Sequence, residues 1–239
     1  MGSHVIGTER KKLTKLKGKL NNVQQFSLKV AEELIIEHQK EDLYPMDLFE
    51  IVKKRRDFPE QDLFQGITEL YEAKWIVPGE SFTKDHVLDV LDHQKVYQFI
   101  LSHPGCDTLD VMKGLNISFR YALKNLETLF KFRFIRARKY SQFFLYFPFF
   151  MSEEEDMIYC LARNSTTRQI MRFLFEHKTA VTTFEIARAI KKAEINVQRK
   201  LTRLAHAQLI SIIDDRLITK YRINRNQKTG FKTVLDIHR

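Results

Sequence analysis

The stretch NISFRYALKNLETLFKFRFI, residues 116–135, carries most of the information about the fold of this chain. Ser118 is a residue type that favours the position before a helix, because its hydroxyl can accept a hydrogen bond from the first turn. Apolar residues then follow at helical spacing, at Ala122, Leu123, Leu126, Leu129 and Phe130. The stretch ends in Phe134-Ile135 and leads directly into RARKYSQFFLYF. This order predicts an amphipathic helix followed by a β-hairpin.

The same order of elements occurs three times along the chain. Three segments end alike, each with a final helical turn followed by an apolar pair: LYEAKWIV, LFKFRFIR and LAHAQLIS. Their first leucines are Leu70, Leu129 and Leu204, and this uneven spacing is typical of fused domains rather than of a solenoid. We therefore predict a mainly α (α+β) protein of three fused units. Each unit has three helices and a β-hairpin, and the hairpin is weak or absent in the first.

Turn and capping signals place the predicted boundaries. Pro78-Gly79 is a turn signal after the first unit, and Ser152 with Glu155 has the spacing of a helix capping box. The segment ERKKLTKLKGKLNN is basic and lacks a wide apolar stripe. The predicted division is a basic flexible arm at 1–25, units at 26–82, 83–150 and 151–225, and a C-terminal tail at 226–239.

Charge is distributed unevenly over the chain, whose formal net charge is +10. Residues 26–92 hold 8 basic and 16 acidic side chains, whereas residues 161–239 hold 17 basic and 6 acidic ones. A basic surface of this kind attracts polyanions, so the last third is the candidate contact region for nucleic acid. The acidic first unit should repel phosphates and is not expected to contact nucleic acid.

Several classes of protein do not fit the sequence. The chain has no run of 18 apolar residues, so no membrane-spanning helix is expected. Two cysteines, Cys106 and Cys160, are too few for a disulfide framework or a zinc site, which favours a reducing cytoplasm. The eight histidines lack metal-binding spacing, and nucleotide-binding glycine motifs are missing. We expect no enzyme activity, no cofactor and no metal.

Residues 96–147 resemble winged helix-turn-helix proteins, and are most similar to archaeal transcriptional regulators of the MarR and ArsR type. The resemblance rests on LNIS at 115–118, Leu126, Leu129 and Phe134-Ile135. In the third unit it rests on FEIARAI, VQRKLTRL and QLIS. The resemblance is weaker in the first unit, where VPGES stands in place of the β-hairpin that is called the wing in these proteins. The resemblance implies winged-helix units that bind double-stranded DNA and regulate transcription, in the cytoplasm and associated with the nucleoid.

Candidate nucleic-acid-binding residues lie on the third helix and the hairpin of two units. Asparagine, glutamine and arginine are the side chains that pair with adenine and guanine edges in the major groove. In the third unit the candidates are Asn196, Gln198, Arg199, Lys200 and Arg203 on the helix, with Arg216 and Lys220 on the wing. In the second unit they are Arg120, Lys124 and Asn125 on the helix, with Arg136, Arg138 and Lys139 on the hairpin.

Apolar residues in the second unit leave a different function open. Its third helix carries apolar residues where regulators of this type are often polar, and its wing, FFLYFPFF, is aromatic. These features favour a homodimer or a protein partner bound through Phe119, Leu123, Phe143 and Phe150. The alternative function is a tandem winged-helix scaffold for protein contacts, of the type found in the endosomal-sorting machinery. A scaffold should expose this apolar set, whereas a regulator should gather its cations on one face.

Overall fold

The protein is described by a computed structural model, which covers residues 2–177, 179–215 and 218–237. It is mainly α, with one two-stranded and one three-stranded antiparallel sheet. The chain forms two compact units: Met1–Ser102 with Cys106–Phe149, and His103–Gly105 with Phe150–Arg239. The first compact unit includes both of the first two predicted units, and it contains two separate buried clusters. Among the described helices, none is both long and apolar enough to cross a membrane.

The first half of this unit is built from helices alone. They are α1 (Gly2–Lys17), α2 (Asn22–Glu32) with a π-helical turn (Glu33–Glu37), α3 (Pro45–Arg55) and α4 (Glu60–Glu72). Asn21 caps α2 and Pro45 occupies the first turn of α3, so local sequence fixes where both helices begin. Leu28, Leu48 and Leu63 are fully buried between α2, α3 and α4. Residues 26–82, all of them described, contain no strand.

The second half of the first unit ends in a hairpin. It contains a 3₁₀ turn (Val87–Asp89), α5 (Leu91–Ser102), α6 (Thr108–Leu115), α7 (Phe119–Lys131), β1 (Ile135–Tyr140) and β2 (Phe143–Pro148). The hydroxyl of Ser118 accepts a hydrogen bond from the N–H of Tyr121, which confirms the predicted start of α7. β1 and β2 form the predicted antiparallel hairpin, in a register that pairs Tyr140 with Phe143.

The second compact unit repeats this order and adds elements at both ends. Its elements are α8 (Glu153–Ala162), α9 (Ser165–Glu176), β3 (Val181–Thr182), α10 (Thr183–Ile190), α11 (Glu194–His206), β4 (Ile210–Asp215), β5 (Ile218–Ile223), a 3₁₀ turn (Arg225–Gln227) and α12 (Lys228–Ile237). The strand order in the sheet is β3-β5-β4. The predicted hairpin is therefore present as β4 and β5, and β3 extends the sheet by a short strand that lies before α10.

Both terminal segments differ from the expectation. The predicted flexible arm contains α1, because Leu13 is buried in the cluster of the second half and Lys17 bonds to two carboxylates. The predicted C-terminal tail contains α12, which packs against α8 and α9. Phe231, Val234 and Leu235 lie on one face of α12 and are buried, and this apolar face explains why the segment is helical.

The three repeated segments end in the same backbone conformation. Lys74, Arg133 and Gln208 follow α4, α7 and α11, and their φ angles are 61°, 57° and 56°. In each case the next N–H donates to the carbonyl oxygen five residues earlier, from Trp75 to Leu70, from Phe134 to Leu129 and from Leu209 to Leu204. This left-handed helix end satisfies carbonyl groups that the helix leaves without partners. The matching sequence endings therefore correspond to one repeated structural device.

Candidate nucleic-acid interface

The exposed side of α11 carries two of the predicted arginines together with polar side chains. Val197, Leu201 and Leu204 are fully buried, and they fix the rotation of the helix about its axis. Because successive residues are rotated by about 100°, the opposite side must face outward. We call this side the outer face of α11. Its members are all exposed: Ile195, Asn196, Arg199, Thr202, Arg203 and His206.

Of the three cations predicted on this helix, two lie on the outer face and the third is half-buried. Arg199 and Arg203 are exposed and lie four residues apart, so their side chains are neighbours along the helix. Asn196 is exposed one turn before them. Lys200 is half-buried, because it lies at the edge between the outer face and the buried stripe. The arrangement puts one amide and two guanidinium groups on a continuous helical surface.

Gln198 has a structural role that the sequence did not indicate. Its amide oxygen accepts a hydrogen bond from the hydroxyl of Thr183 at 2.7 Å, and its amide nitrogen donates to the hydroxyl of Tyr221 at 2.9 Å. Thr183 begins α10 and Tyr221 is buried on β5. Contrary to our expectation that it faces nucleic acid, Gln198 holds α11 against α10 and β5.

The described part of the wing carries two further cations. Lys220 is half-buried and pairs with Ile213, and the exposed Arg222 pairs with Ser211. Side chains alternate along a strand, so Lys220 and Arg222 lie on the same face of the sheet. Arg216, the other predicted wing contact, lies outside the described residues.

An acidic residue near the wing is engaged in a helix cap. The Glu185 carboxylate accepts hydrogen bonds from the backbone N–H of Thr182 at 2.7 Å and from its hydroxyl at 2.9 Å. Both bonds lower the pKa of Glu185, and the bond from the backbone N–H has the larger effect. The positive charge of Lys220 lowers this pKa further. Glu185 is therefore ionised at neutral pH, and its charge is directed to the start of α10.

The corresponding helix of the first compact unit, α7, presents a mixed surface. Arg120, Lys124 and Lys139 are exposed, and Arg136 and Arg138 are half-buried. Phe119 and Phe130 on α7 are 49% and 50% exposed. Of the apolar set predicted for a partner, Phe119, Phe143 and Phe150 are exposed and Leu123 is half-buried. Apolar and basic side chains thus alternate on α7, whereas the outer face of α11 is dominated by polar and basic ones.

Asn125 does not belong to the exposed surface of α7. It is only 4% exposed, and its amide nitrogen donates to the backbone oxygen of Tyr121 at 2.8 Å. Its position three residues after Ala122 and four before Leu129 puts it on the buried stripe. Contrary to our expectation, Asn125 is inaccessible to nucleic acid.

A cluster of ionisable groups lies where α1 packs in the first unit. Glu32, Asp85 and His86 bring ligand atoms close enough to hold a metal ion. The Lys17 ammonium is 2.6 Å from the Glu32 carboxylate and 2.5 Å from that of Asp85, so it already supplies a cation to both. Burial raises the pKa of Glu32. Burial also acts to raise the pKa of Asp85, but the hydrogen bonds from Lys17 and Thr83 together with the charge of Lys17 lower it overall. We interpret the cluster as an ion pair that fixes α1.

One exposed apolar residue on α11 was missed by the sequence-based list. Ile195 is 60% exposed, four residues before Arg199 on the outer face. Its helical spacing from Arg199 and Arg203 was the signal that could have identified it.

Comparison of the chain with known families finds no matching family model, and comparison with curated proteins finds no significant sequence match. The chemistry of its surfaces is therefore the basis for assigning a function.

Proposed function

We propose that this protein is a DNA-binding transcriptional regulator whose second compact unit inserts α11 into the major groove of double-stranded DNA. The supporting observation is the outer face of α11, where Asn196, Arg199 and Arg203 are exposed together. An asparagine amide can form two hydrogen bonds with adenine, and an arginine guanidinium can form two with guanine. The winged-helix resemblance implies the same use of this helix, in the cytoplasm and on nucleoid DNA.

The surroundings of α11 support this orientation. An α-helix with its side chains is about 10–12 Å wide, and the major groove of B-DNA has about the same width. Lys220 and Arg222 on the wing offer cations for phosphates, which position a protein without reading sequence. The excess of 17 basic over 6 acidic side chains in residues 161–239 would attract DNA before specific contacts form.

A double substitution tests this proposal. Arg199→Ala with Arg203→Ala should weaken binding to a random-sequence duplex in fluorescence anisotropy. Each lost phosphate contact should flatten the plot of log affinity against log salt by about 0.9, so a total change of about 1–2 is expected. If one arginine pairs with guanine in a selected sequence, its loss should cost about 1–3 kcal/mol more.

A matched variant controls for net charge. Lys29→Ala with Lys54→Ala removes two exposed cations from α2 and α3, in the acidic part of the chain. It lowers the net charge by the same amount and should leave the salt slope nearly unchanged. A folded Arg199/Arg203 double variant that binds with the wild-type affinity and salt slope would contradict the proposal.

A second candidate function, a scaffold for protein contacts, is favoured by one observation. Phe119 and Phe130 are half-exposed on α7, and an exposed apolar set on a helix is typical of a protein-binding surface. We propose as the alternative that this surface binds a protein or a second copy of the chain. Analytical ultracentrifugation of the wild type and of Phe119→Ser with Phe130→Ser tests it. Self-association that the double variant loses would support this function, and a wild type that stays monomeric would leave a different protein as the partner to be sought.

A further inference from the structure

Ile195 occupies an unusual place for an exposed isoleucine. It is the second residue of α11, is 60% exposed and is followed at four-residue intervals by Arg199 and Arg203. Isoleucine is a poorer helix former than the unbranched residues, so helix stability does not explain its presence there. Single exposed apolar residues are common, and exposure alone would carry no meaning. Ile195 differs from other exposed apolar residues because it lies on the same helix face as Arg199 and Arg203, at the N-terminal end.

The chemistry of the major groove offers an apolar group for this side chain. The C5 methyl group of thymine is the apolar feature that base pairs present there, and apolar side chains recognise it by contact. The N-terminal residues of a recognition helix are the ones that approach base edges most closely. Ile195 lies in the first turn of α11, so it enters that region when the helix enters the groove.

We propose that Ile195 reads the C5 methyl group of a thymine and so sets the sequence preference of α11. This inference rests on the proposed function, since it requires α11 to lie in the major groove of DNA. Asn196 follows directly and is rotated by about 100° toward the neighbouring base position, where its amide suits adenine. Arg199 lies about one turn further along, where its guanidinium suits guanine.

The same contact makes the interface selective for DNA over RNA. Uracil lacks the C5 methyl group, and the major groove of an RNA helix is too narrow for side chains to read. An isoleucine at this position thus contributes nothing to binding an RNA duplex. It contributes to binding DNA only where a thymine stands at one particular step of the site.

Replacement of thymine by deoxyuridine isolates the methyl group. A high-affinity duplex is first selected from a random pool with the wild-type protein, and each thymine is then replaced singly by deoxyuridine. At one position the wild type should lose about fourfold in affinity, the effect of one buried methyl-sized group at about 0.8 kcal/mol. The variant Ile195→Ala should bind the original duplex about as weakly as the wild type binds the deoxyuridine duplex, and should show no further loss at that position.

Two further variants complete the test. Ile195→Val keeps a branched apolar side chain and should retain most of the discrimination. Ile36→Ala removes an exposed isoleucine from the π-helical turn of the first unit, and it should retain the full fourfold effect. Because Ile195 is largely exposed, both of its variants should unfold at nearly the wild-type temperature in circular dichroism.

The outcomes separate this inference from the proposed function. If the wild type binds duplex DNA but shows no deoxyuridine effect, or if Ile195→Ala shows the same effect as the wild type, the role of Ile195 is overturned and the DNA-binding function stands. If the wild type binds no duplex at all, both are overturned. A deoxyuridine effect that disappears in Ile195→Ala and persists in Ile36→Ala supports the inference.

Discussion

Lys84 shows how a single residue can oppose folding at neutral pH. Its ammonium group is partly buried and donates a hydrogen bond to the backbone oxygen of Ala73 at 3.2 Å. Burial, assisted by the positive charge of Arg133, lowers the pKa of Lys84 to about 8. Below pH 8 the group is protonated in both the folded and the unfolded chain, so the folded state carries the full cost of burying a charge. Between pH 8 and about 10.5 only the unfolded state keeps the proton, and this cost is relieved.

Substitution of Lys84 should therefore stabilise the protein in a pH-dependent manner. We expect Lys84→Met to raise the free energy of unfolding at pH 7 by about 1 kcal/mol, less than the full pKa shift implies because the side chain is partly solvated. The gain should shrink as the pH rises from 8 toward 10. Urea denaturation at pH 7 and pH 9.5 measures both values. Lys54→Met, at an exposed position on α3, should give no pH-dependent difference; a Lys84 gain that stays constant with pH would disprove this account.

The helix ends after α4, α7 and α11 show which residue types occupy a position of positive φ in this protein. Lys74, Arg133 and Gln208 all adopt positive φ, a conformation that costs an ordinary residue about 1–2 kcal/mol and that glycine adopts freely. Because glycine is missing from all three positions, the usual sequence signal for this helix end is missing too. The apolar pair that follows each one was the signal that remained.

Glycine at one of these ends should stabilise the protein. Gln208→Gly should raise the free energy of unfolding by about 0.5–1 kcal/mol, since relief of backbone strain exceeds the entropy that glycine adds to the unfolded chain. Gln208→Ala keeps a Cβ and should bring no such gain. Thermal unfolding followed by circular dichroism distinguishes the two variants, and an equal effect of both would show that strain at this position is negligible.

The spacing of apolar residues in the sequence predicted most of the helices and strands. Where this prediction was incomplete or wrong, there is a physical cause. The apolar stripes of α7 and α11 and both hairpins followed from local patterns, and so did the outward direction of Arg199 and Arg203. β3 has only two residues, too few for an alternating pattern to be visible. The inward direction of Gln198 depends on partners 15 and 23 residues away along the chain, which only the tertiary structure brings together.

Over the whole molecule, buried apolar residues are divided between the two compact units. Leu28, Leu63 and Leu126 are fully buried in the clusters of the first, and Ile170 and Leu201 are fully buried in the second. The acidic and basic parts of the sequence follow a similar division, with the acidic excess in residues 26–92 and the basic excess in residues 161–239. We therefore expect a local substitution in one unit to alter the stability of that unit.

A cavity in the second unit should have a local effect. Leu201→Ala should lower the stability of that unit by about 2–5 kcal/mol, because it removes buried methyl groups and leaves a void. Hydrogen exchange should speed up in α9, α10 and α11 and should remain unchanged in α4 and α7. Leu28→Ala is the matched substitution in the first unit and should give the reverse pattern. Loss of protection in both units with either variant would show that they unfold together.

The sole tryptophan of the chain, Trp75, lies in the cluster formed by α2, α3 and α4 and is 5% exposed. The chain thus contains a single indole fluorophore, and it is confined to the acidic part of the first unit. Its emission reports on the packing of those three helices. We propose that DNA binds at α11 and expect the acidic residues 26–92 to repel phosphates, so titration with DNA should leave the spectrum unchanged. The intact protein therefore carries an internal optical reference, against which a dye attached near α11 can be measured in the same sample.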